Sequence, residues 1–301
     1  MRTLAWRSLR NVAYLLLVVI AAVLVVVWWP VLVKIWREQA LTFVGAVFVM
    51  VCGTLVQAHN FLVFLDAEHS VRLPRFMRVW ALSALANYVA PLQPGVAVRV
   101  ALLKRHGVNV SEGLLATWRQ LVVSVWVSLA GLAIGLLLTG DPRGRWPALL
   151  LGVIWILMFM LRKLWLGWLD RLVHPFWLVR HKELLQRAAT NIRPRGILGV
   201  FVQYVLGTLL LYWIYARFGA SIDWGQALVV CCLAYVSSMV AFLPGNLGVL
   251  DAIYMLGGHG FGLSVAEAGA LAVLIRVAHV SANMLLVVVG WVAEGGRRAA
   301  R

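Results

Sequence analysis

The chain has 301 residues, of which 63% are hydrophobic and only 13% charged, with a mean hydropathy of +0.90. A soluble domain carries about 25% charged residues, so the composition excludes one and selects a single integral membrane domain, 1–301. The net charge of +16 would suit nucleic acid, but the basic residues lie mostly in short loops beside apolar runs. That is the footprint of membrane orientation and anionic headgroups, and no nucleic-acid partner is expected.

In chain order, a first apolar run at 12–33 exceeds the core of a signal peptide and lacks a small-residue cleavage site, so it reads as an uncleaved span. A second span covers about 41–65 and carries Gln57, His59 and Asn60, the last two expected to make interhelical hydrogen bonds. A short basic connection with Arg72, Arg75 and Arg78 follows. The apolar segment 79–103 is then interrupted by Pro91, Pro94 and Gly95. Proline removes a backbone donor and disfavours helix in the residue before it, so two half-length helices meeting at a bend are expected. Such backbone is tolerated at membrane depth only where protein or a water-filled cavity satisfies it.

A further span is expected at 113–138, holding Arg119 and Gln120, and another at 147–161 after the turn Gly140-Asp141-Pro142. The main basic loop, 162–195, places Trp165, Trp168, Leu169, Leu172, Phe176 and Trp177 at roughly helical spacing. It suits a helix lying in the interface or one packed on the end of the bundle. Spans at 196–216 and 225–243 follow. The second runs into Pro244, Gly245 and Gly248, with Asp251 within a turn and a glycine-rich elbow at 257–262. The last span, 268–292, carries Arg276, and the chain ends in a short basic tail.

Orientation follows from the basic residues. With the N-terminus inside and segment 79–103 re-entering, nineteen of the 27 basic residues face the cytoplasm, five face out, and Arg99, Arg119 and Arg276 remain at membrane depth. A cytoplasmic tail then requires the second broken segment, 244–262, to enter from the opposite face. The two regions also resemble each other: a Pro-Gly pair, a charge (Arg99 or Asp251), a turn, then an apolar helix holding an arginine. The expected architecture is an all-α helical bundle with two broken or re-entrant hairpins related as an inverted repeat. The repeat cores are 79–138 and 225–292, the arrangement by which secondary transporters build a midplane site.

Ionisable residues inside a membrane are functional candidates because their burial costs several kcal/mol unless they are paired or hydrated (roughly, by transfer scales). Arg99, Arg119 and Arg276, with Asn246, are the candidates for binding an anionic headgroup, since a guanidinium stays charged and its planar fork suits phosphate. Asp251, Glu267 and Glu112 are candidate charge partners or proton carriers. His279 and Asn283 share one face with Arg276, and with Gln120 and Asn87 they form the supporting polar set. Competing readings remain. Arg99 and Asp251 could pair with each other; Asp251 could only complement a helix dipole; Glu112 and Glu267 could be ordinary helix-end acids; and His279 could be a packing residue. Cys52, Cys231 and Cys232 lie in apolar runs without metal or disulfide spacing. No catalytic, nucleotide or metal motif is present in the sequence, so neither enzyme activity nor a cofactor nor a metal is expected.

The block Pro244-Gly245-x-x-Gly248-Val249-x-Asp251, the downstream Gly262-Leu263-Ser264 and the helix around Arg276 resemble the transmembrane region of lysylphosphatidylglycerol synthases, a broad flippase-like family. The stretch Asn87 to Arg99 with Ser111 and Arg119 supports the likeness. The chain departs from the family pattern at Asn246, where glycine is usual, and at Asp251, where glutamate is usual. Members with synthase activity carry a soluble aminoacyl-transfer domain after the membrane part. The sequence ends about ten residues beyond its last span, so that reaction is expected to be absent. The resemblance implies translocation of lipid between leaflets, with phospholipids and polyprenyl or hopanoid-type lipids as the substrate range. The resulting expectation is a lipid translocase of the bacterial inner membrane, multi-pass, with both termini cytoplasmic. The alternatives are a membrane scaffold for a lipid-modifying or glycosyl-transferring enzyme partner, docked through 162–195, and an ion- or potential-coupled solute transporter.

Overall fold

The computed structural model describes residues 33, 37–65, 73–89, 94–160, 193–239 and 244–299. The first expected span, Pro91 and nearly all of the basic loop lie outside the described residues. The chain divides into two compact units, 1–43 and 44–301, and both hairpins lie wholly in the second.

Among the described residues nine α-helices and no strands occur. They are α1 (Ala40–Phe64), α2 (Leu73–Val89), α3 (Pro94–Lys104), α4 (Val110–Leu138), α5 (Pro142–Met160), α6 (Pro194–Arg217), α7 (Trp224–Met239), α8 (Val249–Gly260) and α9 (Val265–Ala299). Four of them, α1, α4, α6 and α9, are long and apolar enough to cross a membrane. Their outward residues are large and apolar, among them Phe48, Leu138, Leu198 and Trp291, as expected of surfaces facing lipid.

Both breaks follow one rule. A proline cannot donate to the carbonyl four residues back, and its ring clashes with that carbonyl. The rule bears on Ala90 for Pro94 and on Val240 for Pro244; α2 is described to Val89 and α7 to Met239, and residues 90–93 and 240–243 lie outside the described residues. The described helix α7 has 16 residues and covers the expected span 225–243 as far as Met239. It is the first arm of the second hairpin, and α8, with 12 residues, is the second. The first hairpin also begins earlier than expected, at Leu73. Pro74 is tolerated in a first turn, so Arg75 and Arg78 belong to α2 and not to a loop. Helix α5 likewise starts at Pro142 with Asp141 Oδ1 accepting from the Arg143 N–H at 2.8 Å, and it carries Pro147 in its interior.

Each hairpin is followed by a long helix, and the packing is reciprocal. Helix α4, after the first hairpin, lies along α7, the first arm of the second; α9, after the second, lies along α2, the first arm of the first. Part of the buried core lies where α1 meets α2. There Phe61 and Phe76 stack at 5.3 Å between centroids, and Trp80 leans on both. Helices α1 and α6 approach closely through glycine: a Cβ on Gly199 would fall 1.6 Å from Asn60 Oδ1, and one on Gly196 would fall 2.4 Å from the Phe64 ring.

Candidate functional site

The tips of the two hairpins are built by side-chain caps. On the first, Asn87 Oδ1 accepts from the Gly95 N–H at 2.8 Å, closing the start of α3. A Cβ at Gly95 would sit 2.1 Å from the Ser83 carbonyl, so the two arms meet only because this residue is glycine. On the second, Pro244–Asn246 forms a short 3-10 turn, with Gly245 at φ 58° and Asn246 at φ 54°. Left-handed backbone favours Gly and tolerates Asn. Asn246 thus holds this conformation without being glycine. Asp251 Oδ2 accepts from the Gly248 N–H at 2.9 Å and caps α8.

Arg276 of α9 is bound to this second tip. Its Nε donates to Asp251 Oδ1 and its Nη2 to Asp251 Oδ2 at 2.7 Å. Nη1 donates to the Gly245 carbonyl at 2.9 Å and Nη2 to the Asn246 carbonyl at 3.1 Å. Four of its five N–H groups are thus committed. The bidentate pair with a carboxylate is the strongest arrangement available to a guanidinium. It also satisfies two carbonyls that the irregular turn would otherwise leave exposed. The pairing of Arg99 with Asp251 considered from the sequence is corrected: the partner of Asp251 is Arg276.

Arg99 of α3 has a different environment. Its guanidinium lies 3.7 Å from the centroid of the Trp80 ring and 5.1 Å from that of Phe61. Its Nε donates to the Ser83 hydroxyl at 3.3 Å. Its two terminal nitrogens have no hydrogen-bond partner among the described residues, although the residue is buried. Cation–π contact offsets part of the desolvation of such a charge, by about 1–2 kcal/mol. It leaves the edge of the fork, which is the part that grips an oxyanion, uncommitted.

That edge borders a cavity of about 400 Å³ lined from α1 through the second tip to α9. Of the residues expected at a site, Arg99, Arg276, Asn246, Gly245, Asn87, Gln120 and His279 line it. Arg119 does not: on the buried face of α4 its Nη1 donates to the Phe64 carbonyl at 2.8 Å, joining α4 to the end of α1. Asn283 is fully buried and donates to the His279 carbonyl at 2.8 Å. His279 Nδ1 meets the Tyr88 hydroxyl at 2.8 Å. Glu267 is exposed and caps α9 through the Ser264 N–H and hydroxyl, at 2.9 and 2.7 Å. Glu112 occupies the first turn of α4. Neither acid lines the cavity.

The lysylphosphatidylglycerol synthase transmembrane-region model matches residues 12–287, nearly the whole chain. The chain belongs to this family. No curated protein and no solved structure matches it. For a lysylphosphatidylglycerol synthase transmembrane region, the helices found here are those of a multi-pass membrane protein with a lipid-related function.

Sequence reasoning missed Trp80, Ser83 and Tyr88. Trp80, Ser83 and Asn87 share one face of α2 at i, i+3 and i+7, a polar-aromatic stripe in an apolar helix. That stripe was legible, as was Arg99, but that the two pack together was not. Tyr88, in the last turn of α2, reaches the second tip: a Cβ on Gly245 would touch its ring at 2.6 Å. Among the described residues no group of His, Cys, Asp and Glu side chains gathers to hold a metal.

Proposed function

We propose that this protein is a non-enzymatic lipid translocase of the bacterial inner membrane. An anionic headgroup enters the cavity between the hairpins and is held by Arg99, while the acyl chains remain in lipid. The observation that carries the reading is Arg99: a buried guanidinium on an aromatic bed with two terminal nitrogens uncommitted, at the wall of a cavity large enough for a headgroup. Arg276, by contrast, commits its terminal donors to the carbonyls of Gly245 and Asn246 and to Asp251. Arg276 and Asp251 serve as the joint that holds the second tip closed, and Asn246 lends the cavity a polar wall.

The hairpins enter from opposite faces and both termini are cytoplasmic. The distribution of basic residues and the reciprocal packing of α4 on α7 and α9 on α2 favour this arrangement. Movement is passive or driven by an ion or the membrane potential, since the sequence carries no nucleotide motif.

The test is purified protein in vesicles holding tail-labelled phosphatidylglycerol, the outer leaflet being read by a membrane-impermeant reductant. Wild type should speed crossing, and Arg99→Ala should slow it about tenfold or more, the loss expected for a charge-assisted contact. An unchanged rate in Arg99→Ala would remove the proposed site. A wild type that moves no lipid but co-purifies with an enzyme would favour the scaffold, and solute uptake without lipid crossing would favour a solute transporter. Single cysteines at Gln93 and Asn246 should be labelled by impermeant reagent from opposite sides; labelling of both from one side would end the inverted arrangement.

A further inference from the structure

Tyr88 lines the cavity together with Trp80, Ala84 and Asn87 on the same face of α2. Its ring packs against Gly245 of the second tip and against the His279 ring, at 6.0 Å between centroids. Among the described residues its hydroxyl meets one group, His279 Nδ1 at 2.8 Å. A hydroxyl can donate to an imidazole nitrogen or accept from it. The direction decides whether Tyr88 has a proton to offer the cavity.

Asn283 sets that direction. Its Nδ2 donates to the His279 carbonyl at 2.8 Å. A backbone carbonyl only accepts, so turning the amide over would press two acceptors together at that distance, and the amide orientation is fixed. The same Nδ2 faces His279 Nε2 at 3.4 Å. A proton on Nε2 would point at a donor. The imidazole proton therefore sits on Nδ1, and Nδ1 donates to the Tyr88 oxygen. The hydroxyl hydrogen of Tyr88 is then left without an acceptor among the described residues. Asp251, the nearby carboxylate, is engaged by Arg276 and the Gly248 N–H.

Resting on the translocase reading, we infer that Tyr88 is a second anchor for the bound anion: its hydroxyl donates to a ligand oxygen while Arg99 supplies the charge. His279 is the positioning residue, whose Nδ1 proton turns the tyrosine into a donor toward the cavity. A ligand held by both anchors connects the guanidinium of the first hairpin to a tyrosine packed on the second tip and bonded to α9.

The tautomer is read by solid-state NMR on the wild-type chain in lipid bilayers with isotope-labelled histidine, the His279 signal being the one lost in His279→Gln. The proton should be on Nδ1, with Nε2 bare. A proton on Nε2 overturns the inference, because Asn283 would not then direct the ring. Phosphatidic acid, whose head is the phosphate alone, is titrated into the full chain in detergent, with diacylglycerol of the same chains as the control for tail binding. Tyr88→Phe keeps the ring against Gly245. It should weaken phosphatidic acid binding about tenfold, the loss for a hydrogen bond to a charged group, and leave diacylglycerol as in wild type. Equal affinity of variant and wild type for phosphatidic acid overturns the inference, as water would then serve the hydroxyl. An equal loss for both lipids also overturns it, as the substitution would have acted on the fold. The tautomer needs no variant that must bind lipid, so the inference stays refutable if Tyr88→Phe does not fold. An Nδ1 proton and the selective loss of phosphatidic acid, in a protein whose wild type moves no lipid in vesicles, leave the inference standing and refute translocation. Lipid crossing at one rate in wild type and Tyr88→Phe, with equal affinities, does the reverse.

Discussion

A guanidinium attends each hairpin, and the two are treated in opposite ways. At the second tip Arg276 spends four N–H groups on Asp251 and two backbone carbonyls. At the first hairpin Arg99 rests on Trp80 and Phe61 and spends one, on Ser83. Both are charges carried into an apolar bundle, and charge alone does not separate a joint from a binding site. What separates them is the fate of the donors: those of Arg276 are saturated by Asp251 and the irregular backbone of a tip, and those of Arg99 stay unsaturated at a cavity wall.

That contrast can be broken by substitution. Asp251→Ala should have the largest effect on stability, because it leaves Arg276 without its counter-charge and α8 without its cap. The pair is partly exposed, so a loss of about 3 kcal/mol, the lower end for a broken buried pair, is expected as a lower unfolding temperature in detergent. Adding Arg276→Met should cost less than the sum of the two single changes, and strict additivity would show that the pair is not coupled. Gly245→Ala comes next. The position has φ 58° and the new methyl would meet Tyr88 at 2.6 Å, so about 2 kcal/mol should be lost. An unfolding temperature equal to wild type would argue against the close approach of the two tips.

Arg99→Ala should shift the unfolding temperature least of the charged substitutions, with about 1 kcal/mol lost from its aromatic contacts, while reducing lipid crossing most. If its stability cost matches that of Asp251→Ala, the distinction between joint and binding site fails. Gly53→Leu is the finest probe. Gly53 lines the cavity and a Cβ there would meet nothing within 4 Å. The leucine should fill open space, add up to about 1 kcal/mol through helix propensity, and still slow lipid crossing. Crossing at the wild-type rate in that variant would place the path elsewhere.

Much of this was readable in the chain. Apolar runs of spanning length, breaks at Pro94 and Pro244, and the family-like block from Pro244 to Asp251 are local features whose consequences follow from hydrocarbon thickness and from proline's missing N–H. They gave the all-helical membrane architecture and the two broken segments.

Partners lay beyond the sequence. Arg99, Arg119 and Arg276 look alike in an apolar run, yet one faces a cavity, one faces the Phe64 carbonyl and one is bound to a turn on another helix. Spacing along a helix gives the face on which a side chain lies and leaves open what stands opposite, since that depends on how separate helices pack. The chain itself determined that buried cations and interrupted helices would be present. Only the tertiary structure decided which cation is neutralised by Asp251 and which keeps its terminal nitrogens uncommitted at the cavity wall, because that assignment depends on distances of about 3 Å between groups as far apart in sequence as Asp251 and Arg276.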